Sequence, residues 1–138
     1  MGLETGTKIS DLVTTNPVAG DPLSQADDHL RLIKTVLSTT GKKILFDVST
    51  ITATTGNAVA GYTHVCTNGS ATTITLPASP EAGDVVGFVF TNGLTTNVLS
   101  RNGSNIESAA SNKTLSSYAA NTITVWRYVD STRGWVSQ

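Results

Sequence analysis

The chain has 138 residues, a formal net charge of -1 and only 14% charged residues. That length suits one ordinary domain with a short appendage, and the balanced charge offers no basic surface for nucleic acid or an anionic membrane. A hydrophobic content of 38% with almost no net charge can support a core, which excludes compositional disorder.

Residues 1–43 read differently from the rest. From Leu3 to Asn16 the segment is polar, with isolated apolar residues Leu3, Ile9, Leu12 and Val13, and the steps Asn16-Pro17 and Asp21-Pro22 then favour extended backbone. So few apolar side chains cannot make a core. The arm is therefore expected to lie on another surface, with Leu3, Ile9, Leu12 and Val13 as its docking residues. Met1-Gly2-Leu3-Glu4 lacks the basic-then-apolar pattern of a signal peptide, and no apolar run approaches membrane-spanning length, so neither a leader nor a membrane segment is expected.

A helix is predicted over residues 25–38. Ser24 supplies an N-cap, Asp27 and Asp28 suit the positive end of the helix dipole, Gly41 supplies the stop, and Lys42-Lys43 suit the negative end. Ala26, Leu30, Ile33 and Leu37 recur at spacings of 4, 3 and 4, a narrow seam broadened by Val36. Such a seam packs on a β domain or on copies of itself.

From residue 44 the periodicity shortens. Strands are predicted at 44–48, 59–67, 72–76, 84–91, 95–100, 113–118, 121–129 and 134–137, separated by turn signals that include Asn68-Gly69, Asn92-Gly93 and Asn102-Gly103. Ile74 and Leu76 share one face of their strand. In the strand at 121–129, Ile123, Val125 and Val129 lie opposite Trp126 and Tyr128, so both faces are expected to be partly covered, as in a sandwich or a subunit interface. The expected fold is mainly β. An extended arm and one short helix (1–43) precede a compact β-sandwich or jelly-roll-like knob (44–138), with Ile74, Leu76, Ile123, Val125, Trp126, Tyr128 and Trp135 in its core or interface.

The chemistry-bearing residues form no recognisable constellation. Cys66 is the only cysteine, so no intrachain disulfide forms. His64 shares its strand face, but a free strand cysteine is ordinarily buried and inert. Asp27, Asp28 and His29 are consecutive, and a helix points consecutive side chains apart instead of towards one metal. Glu81, Asp84 and Glu107 could supply a carboxylate pair for glycoside hydrolysis, although Glu81 and Asp84 sit in a Pro/Gly-marked loop where solvated turn residues are expected. Tyr62, Trp126, Tyr128 and Trp135 could stack on sugars or bases, with core or interface packing the simpler use. The Asn-x-Ser/Thr patterns at Asn68, Asn102 and Asn112 read as turn chemistry. No P-loop, dinucleotide glycine pattern, zinc spacing or nucleophile elbow occurs. The expectation is a non-enzymatic protein with no metal and no cofactor.

Two stretches carry a family resemblance. Residues 3–12 with Asn16-Pro17, and the run Ser24-Gln25-Ala26-Asp27-Asp28-His29-Leu30-Arg31-Leu32-Ile33-Lys34, resemble the N-terminal virion-attachment segment of tailed-bacteriophage tail fibres and related fibre or decoration proteins. Thr73-Ile74-Thr75-Leu76-Pro77, Gly83-Asp84-Val85 and residues 128–136 resemble the compact β knob of phage fibre, tailspike and capsid-associated proteins. The resemblance implies a homotrimeric virion structural protein, made in the host cytoplasm and carried on the surface of the phage particle. Its N-terminal part would dock on capsid or tail proteins and its knob would project, with a host-surface glycan as a further ligand. A receptor-binding fibre would continue into a shaft and tip. Because Gln138 follows the knob so closely, a capsid decoration (cement) protein is expected, with a short tail fibre or tail adaptor as the alternative and a glycan-binding module as a further one.

Overall fold

The computed structural model describes residues 23–41, 43–45 and 47–138. The chain divides into two units, Met1–Gly41 and Lys42–Gln138. Leu3, Ile9, Leu12 and Val13 lie outside the described residues.

In the first unit α1 spans Leu23–Gly41. It begins directly after Pro22, a residue type suited to a helix start. Ser24 therefore stands inside the helix instead of capping it, and the first turn carries no acidic residue. Among the side chains described, Asp28 to Ser38, His29 and Val36 are buried and Leu32 and Ile33 half-buried, whereas Leu30 is 57% and Leu37 52% exposed. The covered face thus lies one residue, about 100°, around the helix from the expected seam. The side chain of Ala26 lies outside the described residues.

The second unit is mainly β. Its first six strands are β1 (Asp47–Ile51), β2 (Thr55–Asn57), β3 (Tyr62–Cys66), β4 (Thr73–Thr75), β5 (Val85–Phe90) and β6 (Val98–Ser100). Three more follow: β7 (Lys113–Thr114), β8 (Ile123–Tyr128) and β9 (Trp135–Ser137). They form a five-stranded sheet, β1-β3-β5-β8-β9, and a four-stranded sheet, β2-β4-β6-β7. Consecutive strands up to β6 alternate between the sheets, and within each sheet these strands pair in parallel. The chain therefore winds as a short coil, each turn laying one strand on each sheet. A jelly roll is built from antiparallel pairs; here antiparallel pairing is confined to β6–β7, β5–β8 and β8–β9, which close the last turn.

The corners of this coil are held by asparagine. Thr67 N–H donates to Ile51 O and Thr91 N–H to Cys66 O, so the parallel ladder runs on past the strand ends. One residue further, Asn68 Nδ2 donates to Ala53 O at 2.9 Å and Asn92 Nδ2 donates to Asn68 O at 3.1 Å. Each side-chain amide thus pairs with a corner carbonyl of the turn before it. Asn92 Oδ1 in turn accepts from Leu94 N–H and from Asn97 Nδ2, and Asn97 Oδ1 accepts from Thr72 N–H. At the opposite corner Asn102 Nδ2 reaches Leu76 O at 2.9 Å.

The two sheets share one core. Phe88, Trp126 and Trp135 from the larger sheet meet Ile74, Leu99 and the adjoining Leu76 from the smaller, all fully buried. Tyr128 packs against Trp135 with the rings tilted by 60° and their centroids 5.6 Å apart. Thr124 and Trp126 face this core, and alternation then forces Ile123 and Val125 to the opposite side. Ile123 is 51% exposed and is not a core residue of the single chain. The strand bounds differ from the sequence-based expectation, most at the first two strands and at β7, which keeps only Lys113–Thr114 of the expected 113–118. The first begins at Asp47, not residue 44, because Leu45 lies instead over Gly87, where an added Cβ would stand 3.0 Å from Leu45 Cδ1. Strand β2 is composed of Thr55, Gly56 and Asn57, turn-type residues made into a strand by parallel pairing with β4.

The last turn is sealed by the 105–108 loop. Glu107 N–H donates to Trp135 O, Trp135 N–H to Asn105 O, and Ser108 N–H to Arg133 O. Glu107 and Ser108 both take positive φ, 50° and 68°, a left-handed backbone that costs non-glycine residues roughly 1–2 kcal/mol each. The loop holds it because Ile106 is buried in the core and Glu107 grips both Lys113 and Ser137.

If the corner amides hold the turns in register, Asn92→Ala removes the hydrogen bonds to the Asn68 and Ser70 carbonyls and those from Leu94 N–H and Asn97 Nδ2. Urea unfolding should then show a loss of about 2–3 kcal/mol. Asn92→Asp should not rescue it, because a carboxylate cannot donate. A loss under ~0.5 kcal/mol would show that the backbone ladder alone sets the winding.

Candidate functional site

His64 and Cys66 point to the same interior, as strand alternation requires, and both are buried. The His64 ring lies between Tyr62 and Phe88, with centroids 6.1 and 5.9 Å away. Val59 N–H donates to His64 Nε2 at 2.9 Å, while Val59 O lies at 3.4 Å, so the shorter contact makes Nε2 an acceptor and the ring neutral. Burial pulls the His64 pKa below its ordinary value, outweighing the opposing contact with the Val59 backbone. Burial also pushes the Cys66 thiol up to about 11. A neutral acceptor imidazole beside an un-ionised thiol in an aromatic stack is a packed core, because thiolate chemistry needs a depressed thiol pKa.

The three candidate carboxylates do not converge. Asp84 is buried and its Oδ2 accepts Glu81 N–H at 3.0 Å, so Glu81 meets it through backbone and not through its own carboxylate. Two cations pin the same turn: Lys43 Nζ donates to Ala82 O at 3.0 Å and Arg127 to Gly83 O at 3.1 Å. Lys43, expected at the helix terminus, therefore serves the β unit. Glu107 belongs to the sealing loop. There the Lys113 ammonium, 2.6 Å away, holds its carboxyl below the ordinary carboxylate range, with the Ser137 hydroxyl adding to the effect and burial opposing it. Among the described residues, no group of three or more His, Cys, Asp or Glu side chains could hold a metal.

What remains is surface. On α1, Leu30 and Leu37 stand exposed seven residues apart with Ile33 half-buried between them. On the larger sheet, the side turned away from the core bears Val48, Val65, Val89, Ile123 and Val125. Of the sequence-predicted residues, Ile74, Leu76, Trp126 and Trp135 meet in the core with Tyr128 against it, while Ile123 and Val125 join this outer face. Val48, Val65 and Val89 were not singled out from the sequence. The lone Gly87 within an apolar strand was their available signal, since such a glycine marks a close approach on one face.

No protein-family model matches the sequence, and no curated protein matches it.

The core reading of His64 and Cys66 has two consequences. The Cys66 thiol should stay unreactive towards a disulfide reagent at pH 8 in the folded protein and react fully in denaturant; rapid labelling of the native chain would contradict its burial. Because His64 has its pKa lowered in the folded state, the unfolded chain takes up a proton that the native one refuses. Its contribution to stability is present above about pH 6.5 and is lost as pH falls below that value towards the folded pKa. Urea unfolding between pH 8 and 5 should show this decline, and His64→Gln should flatten it.

Proposed function

We propose that this chain is a non-enzymatic structural protein of a bacteriophage particle. In this reading it is a trimeric capsid decoration protein whose N-terminal segment docks on the particle and whose β unit projects. The resemblance of residues 3–34 to virion-attachment segments supports it. The observation that carries it is physical: the chain exposes an apolar helix seam at Leu30 and Leu37, while Asp84, Glu107 and His64 of the β unit serve a turn, the sealing loop and the core. An exposed leucine forfeits roughly 1.5–3 kcal/mol relative to a buried one, which favours assembly. Three arms held on one assembly also bind a repetitive surface at high effective concentration. Attachment segments of the same kind belong to tail fibres, so a short tail fibre or adaptor is the second reading.

Immunogold labelling of purified particles separates the two, with label over the whole head for a decoration protein and label confined to the tail for a fibre. Label on neither would defeat both. Deleting residues 1–22 should leave the β circular-dichroism signature unchanged and abolish incorporation into particles. Full occupancy by the truncated chain would remove the docking role from the arm.

A further inference from the structure

Three Asn-Gly steps, at residues 68–69, 92–93 and 102–103, stand in this chain. Glycine has no Cβ, so its backbone nitrogen is the least hindered nucleophile that can follow an asparagine. In such a step the Gly nitrogen attacks Asn Cγ. The N–Cγ bond forms, the Cγ–Nδ2 bond breaks, and Nδ2 leaves as ammonia with the proton of the Gly amide. Water then opens the five-membered imide at either carbonyl, giving aspartate or isoaspartate. We propose that Asn102 is a self-modification site of this kind, losing its amide in the folded protein while Asn68 and Asn92 keep theirs. The chemistry needs only water and holds whether or not the chain belongs to a particle.

The bonding of the side-chain amides decides between the three. Asn68 is held at both ends: Nδ2 donates to Ala53 O at 2.9 Å and to Thr72 Oγ1 at 2.6 Å, and Oδ1 accepts Ser70 N–H at 2.9 Å. Asn92 makes four bonds, Nδ2 donating to Asn68 O and Ser70 O and Oδ1 accepting from Leu94 N–H and Asn97 Nδ2. Cγ of either residue can turn towards the following nitrogen only after such bonds break. Asn102 is exposed, and among the described residues its side chain makes one bond, Nδ2 to Leu76 O at 2.9 Å. Breaking one net hydrogen bond slows a step roughly 2- to 13-fold. Two further bonds at Asn68 and three at Asn92 therefore separate them from Asn102 by about tenfold or more.

Space and charge at the step favour the same residue. Asn102 and Gly103 are the central pair of a turn closed by Ser104 N–H donating to Arg101 O at 3.0 Å, with φ of 46° and 92°. Nothing lies within 4 Å of where a Cβ on Gly103 would stand, whereas one on Gly93 would meet Ala120 at 3.0 Å. The Arg101 guanidinium donates to Gly103 O at 3.3 Å and to Ser104 O at 3.4 Å. A cation beside the turn favours loss of the Gly103 amide proton, which the attack requires. The product then acts on the fold. Aspartate replaces the donor to Leu76 O with a carboxylate that repels it, and isoaspartate adds a methylene to the backbone of the turn. Either one undoes the corner that ties the end of β4 to the end of β6.

The test follows the full chain at mildly alkaline pH by peptide mass mapping, with fragment ions locating each amide-to-acid conversion. In the folded protein Asn102 should convert at least about tenfold faster than Asn68 or Asn92, and in denaturant the three rates should converge. Equal native rates, or a faster Asn68 or Asn92, would overturn the proposal. So would an Asn102 that stays intact in the folded chain while the unfolded chain reacts. Isoelectric focusing gives an independent readout, since each conversion takes the net charge from -1 to -2. The more acidic band should grow with time in the wild type and be largely lost in Asn102→Gln; undiminished growth in that variant would assign the chemistry elsewhere and overturn the proposal. Asn102→Asp, which stands for the aspartate product, should lower the urea midpoint, and an unchanged midpoint would overturn the tie between this site and its corner.

Discussion

Asn92 reaches back to the carbonyl of Asn68, and Asn68 reaches back to the carbonyl of Ala53, so each corner of the chain hangs on the corner before it. Parallel strands joined through a second sheet have no tight hairpin to set their register. The register must come from contacts between successive turns. Backbone bonds from Thr67 to Ile51 and from Thr91 to Cys66 begin that alignment, and the side-chain amides extend it through the bend where strand pairing stops. A slip of one residue would carry every interior side chain to the outside, so the placement of Phe88, Trp126 and Trp135 in the core depends on these corners.

Once the register is set, alternation assigns the rest. His64 and Cys66 fall inside, and burial keeps one neutral and the other un-ionised. Trp126 takes the interior side of β8, which leaves Ile123 and Val125 outside with Val65 and Val89 beside them in register. The apolar character of this outer face is therefore a consequence of where the large aromatic rings went. It is not a set of residues left over from packing.

The two ends of the coil are finished differently. At the last turn, β7, β8 and β9 reverse direction, and the 105–108 loop runs beside β9. Two left-handed residues are held there by the burial of Ile106 and the grip of Glu107 on Lys113 and Ser137. At the first turn, β1 and β2 are the outermost strands of their sheets, and Ile51 packs onto Gly56, where a Cβ would stand only 2.7 Å from Ile51 Cδ1. Left-handed backbone and the Glu107–Lys113 ion pair thus finish one end, and the close approach of Ile51 to Gly56 finishes the other.

Much of the architecture was legible in local pattern. The helix, most of the strands and the interior roles of Ile74, Leu76, Trp126 and Trp135 follow from periodicity and turn residues, because those signals act over a few neighbouring positions. The pairing of Thr67-Asn68-Gly69 with Thr91-Asn92-Gly93 was also present as a repeat, though as isolated dipeptides these read only as turns. Strand direction was not legible. Thr55-Gly56-Asn57 has no strand character of its own and acquires it only beside β4, and an Asn-Gly step serves a hairpin or a corner equally well. Nor could alternation alone say which face of β8 is inside, since both carry large apolar residues. Which helix face is covered was likewise undecided, since Leu30 and Leu37 form as good a stripe as Val36 does with its neighbours. The sequence by itself determined the helix and every strand but β2, because that depends on residues a few positions apart. The tertiary structure alone decided which face of each is buried, because that depends on partners distant in the chain.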